Sequence, residues 1–166
     1  MREIIDNFLP NQVFEAIRDL LLGDDFPWFY SSSVSNKSDH NSDFYFLHNF
    51  LDKDENESYM SKYIKVLFDY LQETDDIDIL RVRANCYVNQ GRQVKHQYHV
   101  DRPGAEGNLV GMLSINTCNG YTEFEDGFAI HSVANRLALF NDHPHRSVSQ
   151  SDTKTRVNIN FNYMRV

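Results

Sequence analysis

Leu80-Arg81-Val82-Arg83-Ala84-Asn85-Cys86-Tyr87-Val88 is apolar at every even position and polar or amphipathic at every odd one. A period of two marks an extended strand with one face on a core and the other on a solvated groove. Leu80, Val82, Ala84, Cys86 and Val88 therefore point into the core, and Arg81, Arg83, Asn85 and Tyr87 share the polar face. The period returns near the carboxyl end, where Val157, Ile159, Phe161 and Tyr163 alternate with Arg156, Asn158, Asn160 and Asn162. Between the two, residues 109–117, 121–125, 128–131, 136–141 and 145–149 read as further short strands separated by turns. Many short strands without intervening helices point to a sandwich, barrel or jelly roll. Residues 93–101 read as the strand returning from the turn at 89–91, and Asn119-Gly120 as a hairpin turn.

Upstream, residues 4–9 read as an opening strand ending at Pro10, which suits the first turn of a helix. Val13, Phe14, Ile17, Leu20 and Leu21 follow at helical spacing, with Gly23 as the stop. Aromatic strands at residues 26–30 and 44–47 flank a polar loop at 31–42. After an acidic connector at 52–57, Tyr59, Tyr63, Ile64, Val66, Leu67, Tyr70 and Leu71 mark one face of a second helix. The expectation is one domain over residues 1–166, mainly β (α+β), with helical support at 10–73 and a β core at 77–165.

Composition excludes several roles. The 24 acidic against 16 basic residues give a net charge of -8, which disfavours nucleic acid as a partner. No apolar run is long enough to span a membrane, and the first residues lack a signal-peptide pattern, so the expectation is a cytoplasmic protein, or host-cytoplasmic if virus-encoded. Cys86 and Cys118 stand far apart in no CxxC pattern and read as buried, reduced thiols.

Chemistry concentrates in Tyr98-His99-Val100-Asp101-Arg102. On an extended segment His99 and Asp101 point the same way with Cα atoms roughly 6.5 Å apart, close enough for both to grip one metal ion. A third ligand is sought in residues 140–146, where His145 is the candidate and His143, on the same parity, its competitor. Two histidines and one carboxylate make the facial triad of non-heme Fe(II) sites, with the opposite face open. Arg156 suits an anion near that metal, because its planar fork binds a carboxylate bidentately. Of the other histidines, His40, His48 and His131 read as structural or exposed, and His96 faces away from His99 on a regular strand.

His99-x-Asp101, a distal His145 and then Arg156 resemble the Fe(II)/2-oxoglutarate-dependent oxygenase superfamily, in particular its prolyl 4-hydroxylase-like branch and the short phage-encoded members of it. The resemblance spans nearly the whole chain, from residues 6–10 and Phe26-Pro27-Trp28 through Cys86-Tyr87, residues 120–124 and Phe140-Asn141 to Pro144-His145-Arg146. It implies a double-stranded β-helix (jelly roll) with two supporting helices. It further implies Fe(II) on His99, Asp101 and His145, 2-oxoglutarate as co-substrate with its distal carboxylate on Arg156, dioxygen, and ascorbate as reductant. Tyr87 matches a position that helps hold 2-oxoglutarate. Asn158 stands where many relatives carry Ser, and Ser114 where some offer Tyr. The implied reaction is hydroxylation of an unactivated carbon, in a prolyl residue of a peptide or protein or in a small molecule. A cupin-like metalloenzyme without a keto acid and a non-catalytic barrel are the alternative readings, since one fold serves many functions.

Overall fold

A computed structural model of the chain describes residues 1–34, 41–53, 57–72 and 76–166. His40, much of the polar loop, the middle of the acidic connector and residue 73 lie outside the described residues. In chain order the elements are β1 (Arg2–Ile5), α1 (Asn11–Leu22), β2 (Phe29–Ser31), β3 (Tyr45–Asp52), α2 (Lys65–Gln72), β4 (Ile77–Val88), β5 (Leu109–Ser114), β6 (Tyr121–Phe124), β7 (Ala129–His131), β8 (Arg136–Asn141), β9 (His145–Val148) and β10 (Thr155–Arg165). They build an antiparallel seven-stranded sheet ordered β1-β8-β5-β10-β4-β3-β2 and a three-stranded sheet ordered β7-β6-β9, as a jelly roll requires.

The two alternating stretches lie side by side at the centre of the large sheet, with Val157 opposite Cys86, Ile159 opposite Ala84 and Phe161 opposite Val82. Their apolar faces pack with both helices in one core, to which α1 contributes Phe14, Ile17 and Leu21, and α2 contributes Leu67 and Leu71. Phe161 stands edge-on to Phe68 and lies over Gly111, its cross-strand partner. A Cβ on Gly111 would fall 1.9 Å from that ring, so only glycine leaves room for it. On the other side of the large sheet, Val110, Met112, Phe124, Ile130, Ala138 and Phe140 form a second apolar cluster, joined across the sheets by an edge-to-face contact of Phe124 and Phe140.

Several local expectations are corrected. β1 stops at Ile5, because Asn7 takes a left-handed conformation and Phe8 and Leu9 are tied to the backbone and side chain of Asn135. Pro10 precedes the first helical residue, its carbonyl accepting the Phe14 N–H. Gly23 ends α1 in an extended conformation; its need is space, since a Cβ would sit 2.9 Å from the Asp19 carbonyl oxygen. β2 is shorter than the aromatic run suggests, while its partner β3 is longer. Tyr59 and Tyr63 are exposed, because a 3-10 turn at Ser61–Tyr63 delays α2 to Lys65 and breaks their phase with Leu67 and Leu71.

Two corrections bear on the site. Residues 93–101 form no regular strand; they run beside β9, joined by isolated bridges at Lys95–Val148 and His99–His145. Asn119-Gly120 makes no hairpin, because β5 pairs with β10 and β8 whereas β6 pairs with β7 and β9. The turn crosses from one sheet to the other, held by the Asn119 N–H on the Asp152 carboxylate and the Ser151 N–H on the Asn119 side chain. Both cysteines are buried and free. Among the described residues no helix is long and apolar enough to cross a membrane.

Candidate active site

The segment at 93–101 and β9 carry the candidate ligands. His99 N–H donates to the His145 carbonyl at 2.9 Å and His145 N–H returns a bond to the His99 carbonyl at 3.0 Å. Two residues on, the Asp101 and Arg102 N–H groups donate to the two carboxylate oxygens of Asp142, each at 2.9 Å. Asp142 thus clamps the backbone of Asp101, a role that nothing in its spacing announced. The ligand atoms of His99, Asp101 and His145 all lie within 4.8 Å of one another. Two ligands about 2.1 Å from one ion, at right angles, sit roughly 3 Å apart, and His99 Nε2 is 3.6 Å from Asp101 Oδ1.

Hydrogen bonds select the free nitrogen of each ring. His145 Nδ1 meets the His143 carbonyl at 2.8 Å, and His99 Nδ1 meets the Gln97 carbonyl at 3.3 Å. A carbonyl only accepts, so each Nδ1 carries the proton and each Nε2 keeps its lone pair for a metal. His143, the competitor, is exposed and contributes that carbonyl instead of its ring.

The charge states of Asp101 and His145 favour ligation. Burial acts to raise the Asp101 pKa, but the neighbouring His99 ring and the charges of His145 and Arg81 outweigh it, holding the carboxyl well below its usual range. Burial likewise acts to lower His99, yet Asp101 leaves it above the ordinary imidazole value. Burial pushes His145 down and keeps it neutral. An ionised carboxylate and a neutral imidazole are the forms a metal needs.

Arg156 is 1% exposed. Nη1 donates to Ser147 Oγ at 2.6 Å and Nη2 to Thr122 Oγ1 at 3.0 Å, the Tyr87 ring lies 5.5 Å away, and Nε has no partner. Burial pushes its pKa down, and among the described residues no carboxylate pairs with it. A buried cation without an anion is costly. A narrow cavity lined by Tyr87, Thr122, Ser147, Asn158 and Asn160 connects the two histidines with the hydroxyls that hold Arg156. Tyr87 is buried, which pushes its phenol up to about 12 and keeps it protonated. Asn158 accepts from Asn85 at 3.0 Å and lies opposite Ser114, whose hydroxyl is unpartnered. Asn160 Oδ1 and Asn162 Oδ1 are also buried without partners. Such a run of orphaned polar atoms is what a polar ligand would satisfy.

Gly120 has a packing role beside Arg156 that the turn signal concealed. A Cβ there would lie 2.6 Å from Arg156 Cδ, so this glycine makes room for the arginine stem. His96 does not face solvent: it is buried, shares a 2.6 Å hydrogen bond with Asp43, and packs against Tyr87. His48 bonds to the Pro27 carbonyl and Ser58, and His131 stacks near Tyr121 at the surface.

No family model matches the chain, and no curated protein matches it. Solved structures do. A prolyl hydroxylase from Trichoplax adhaerens, in complex with a hypoxia inducible factor oxygen degradation domain peptide fragment, is 19% identical with a TM-score of 0.69, over 99% of this chain and 83% of that one. The viral collagen prolyl hydroxylase of Paramecium Bursaria Chlorella virus-1, in its 2-oxoglutarate complex, is 12% identical with a TM-score of 0.59, over 99% and 96%. The protein HygX from Streptomyces hygroscopicus, with nickel and 2-oxoglutarate bound, is 9% identical with a TM-score of 0.59, over 99% and 82%. The fold is that of the 2-oxoglutarate oxygenases. At these identities the likeness is one of architecture, and the chemistry rests on this chain's own residues.

Proposed function

We propose that the chain is an Fe(II)- and 2-oxoglutarate-dependent dioxygenase that hydroxylates an unactivated carbon, with a prolyl residue of a peptide or protein as its substrate. The observation that carries this reading is the buried, acid-free Arg156 held by Ser147 and Thr122, two hydroxyls that line the same small cavity as His99 and His145. A keto-acid-free cupin-type site has no use for such a cation, and neither has an inert barrel.

His99 Nε2, Asp101 and His145 Nε2 would hold the metal, a donor set matched to Fe(II). Arg156 would receive the distal carboxylate of 2-oxoglutarate in bidentate fashion, exchanging neutral hydroxyl partners for an anion. Tyr87 would donate its phenol proton to the same co-substrate, and Asn158 would line the cavity beside it. Phe124, Phe140 and Met112 pack under His145 and the cavity and keep water out. Once bound, iron and keto acid supply dioxygen activation coupled to decarboxylation to succinate and carbon dioxide. The prolyl assignment is supported by the prolyl hydroxylases among the structures of like fold.

The test is succinate release with Fe(II), 2-oxoglutarate and ascorbate as reductant. The parent protein should form succinate and bind one divalent metal per chain, and Asp101→Ala should abolish both. Turnover of that variant at the parent rate would overturn the ligand assignment.

A further inference from the structure

A cavity of about 460 Å³ opens at His99 and Asp101, and Tyr45, Tyr87, Tyr98, Arg81 and Arg83 line it. Asp101 is the one acid among its described lining residues. An acidic protein has therefore turned a cationic wall toward its own candidate site. Arg81 and Arg83 are two apart on β4, so their side chains leave the sheet on one face roughly 6.5 Å apart.

Neither arginine is neutralised in a lasting way. Arg83 donates from Nε to Asn49 Oδ1 at 2.7 Å and from Nη1 to the Tyr45 hydroxyl at 3.3 Å, both neutral, and its Nη2 has no partner among the described residues. Arg81 reaches Asp101 Oδ1 at 3.6 Å, but that carboxylate is a candidate metal ligand. Burial lowers the Arg81 pKa, and the charges of Arg83 and Arg102 press it the same way against the pull of Asp101 and Asp52. On the reading above, a divalent metal, Asp101, a dianionic keto acid and Arg156 cancel one another. Arg81, apart from the pull of Asp52 across from it on β3, and Arg83 are then left over, and partly buried like charges side by side call for an anion.

We propose that this cleft is a carboxylate receptor, in which Arg81 and Arg83 grip an acidic group of the substrate and so present a neighbouring carbon to the triad. This rests on the oxygenase reading and names the substrate class for it. The guanidinium forks suit a carboxylate bidentately. The stacked Tyr45 and Tyr87 rings, 5.6 Å apart, give a flat apolar wall for the carbon part of the substrate. The carboxylate has two sources, an acidic side chain next to the target residue in a peptide or the α-carboxylate of a free amino acid.

Calorimetric titration of the protein loaded with nickel and 2-oxoglutarate tests this with four probes. They are an end-blocked proline peptide flanked by glutamates, its glutamine counterpart, free L-proline and free L-glutamate. The glutamate peptide, or a free amino acid, should bind at least about tenfold tighter than the glutamine peptide, the scale of one charge-assisted contact. Which of them binds identifies the source. Arg83→Gln should shrink the gap to within about twofold, while Arg83→Lys, which keeps the charge, should retain part of it. Equal affinities, a gap that survives Arg83→Gln, or binding of none of the four overturns the receptor. Succinate release on the same preparation separates the two readings: turnover with no preference for either carboxylate source over the glutamine peptide sinks the receptor alone, and such a preference without turnover sinks the oxygenase alone.

Discussion

The two faces of β10 share one backbone and opposite purposes. Val157, Ile159, Phe161 and Tyr163 fill the core under the helices, whereas Arg156, Asn160 and Asn162 each carry one buried polar atom that lacks a partner. Each face even has its own glycine opposite it, Gly111 under Phe161 and Gly120 under the Arg156 stem. The difference teaches that stability and ligand affinity are written on alternate residues of one strand, so substitutions on the two faces should move different observables.

The largest effect should come from the core face. Phe161→Ala removes a fully buried ring and should cost about 3–5 kcal/mol in urea unfolding. Asn160→Ala, which deletes an unpartnered buried oxygen, should stay within about 1 kcal/mol of the parent. Comparable losses for the two would break the comparison. Next, Arg156→Met should leave the protein at least as stable without 2-oxoglutarate, because an uncompensated buried cation is replaced by an apolar chain. The same change should weaken 2-oxoglutarate binding by about 2–5 kcal/mol, read as a rise in its KM. The glycines sharpen the contrast. Gly111→Ala and Gly120→Ala should each cost about 1–3 kcal/mol by overpacking, but only Gly120→Ala should also lower 2-oxoglutarate affinity.

The smallest effect is in pH. In metal-free protein the depressed Asp101 pKa contributes stability that is present above its unfolded value near 4 and is lost as pH falls below it. Asp101→Asn should flatten the acid limb of the stability profile. An acid limb unchanged by that substitution would show that Asp101 is not held by His99 and Arg81 as described.

The parts of this architecture that the sequence made legible are those governed by local periodicity. The alternation in β4 and β10 put Tyr87 and Arg156 on one face, and the structure places Arg156 opposite Tyr87 in register. Reading failed where a distant partner decides the outcome. Asn119-Gly120 is a hairpin signal by local chemistry, but Asp152 and Ser151, more than thirty residues away, pin it as a crossing between sheets. His96 faces away from His99 by strand parity, but what holds its buried ring is a 2.6 Å hydrogen bond with Asp43, 53 residues away, on a segment that is not a regular strand. Asp142 carries no recognisable pattern and the turn signal at Gly120 says nothing of the arginine, because what they support, the Asp101 backbone and the Arg156 stem, is nearby only after folding.

The reciprocal main-chain bonds between His99 and His145 have a thermodynamic consequence. The spacing of the two imidazoles is inherited from paired peptide groups, so an arriving ion finds its cage assembled and has no chain to order. Loading should therefore be quick and leave the circular dichroism spectrum unchanged, and chelation should strip the ion without melting the barrel around it.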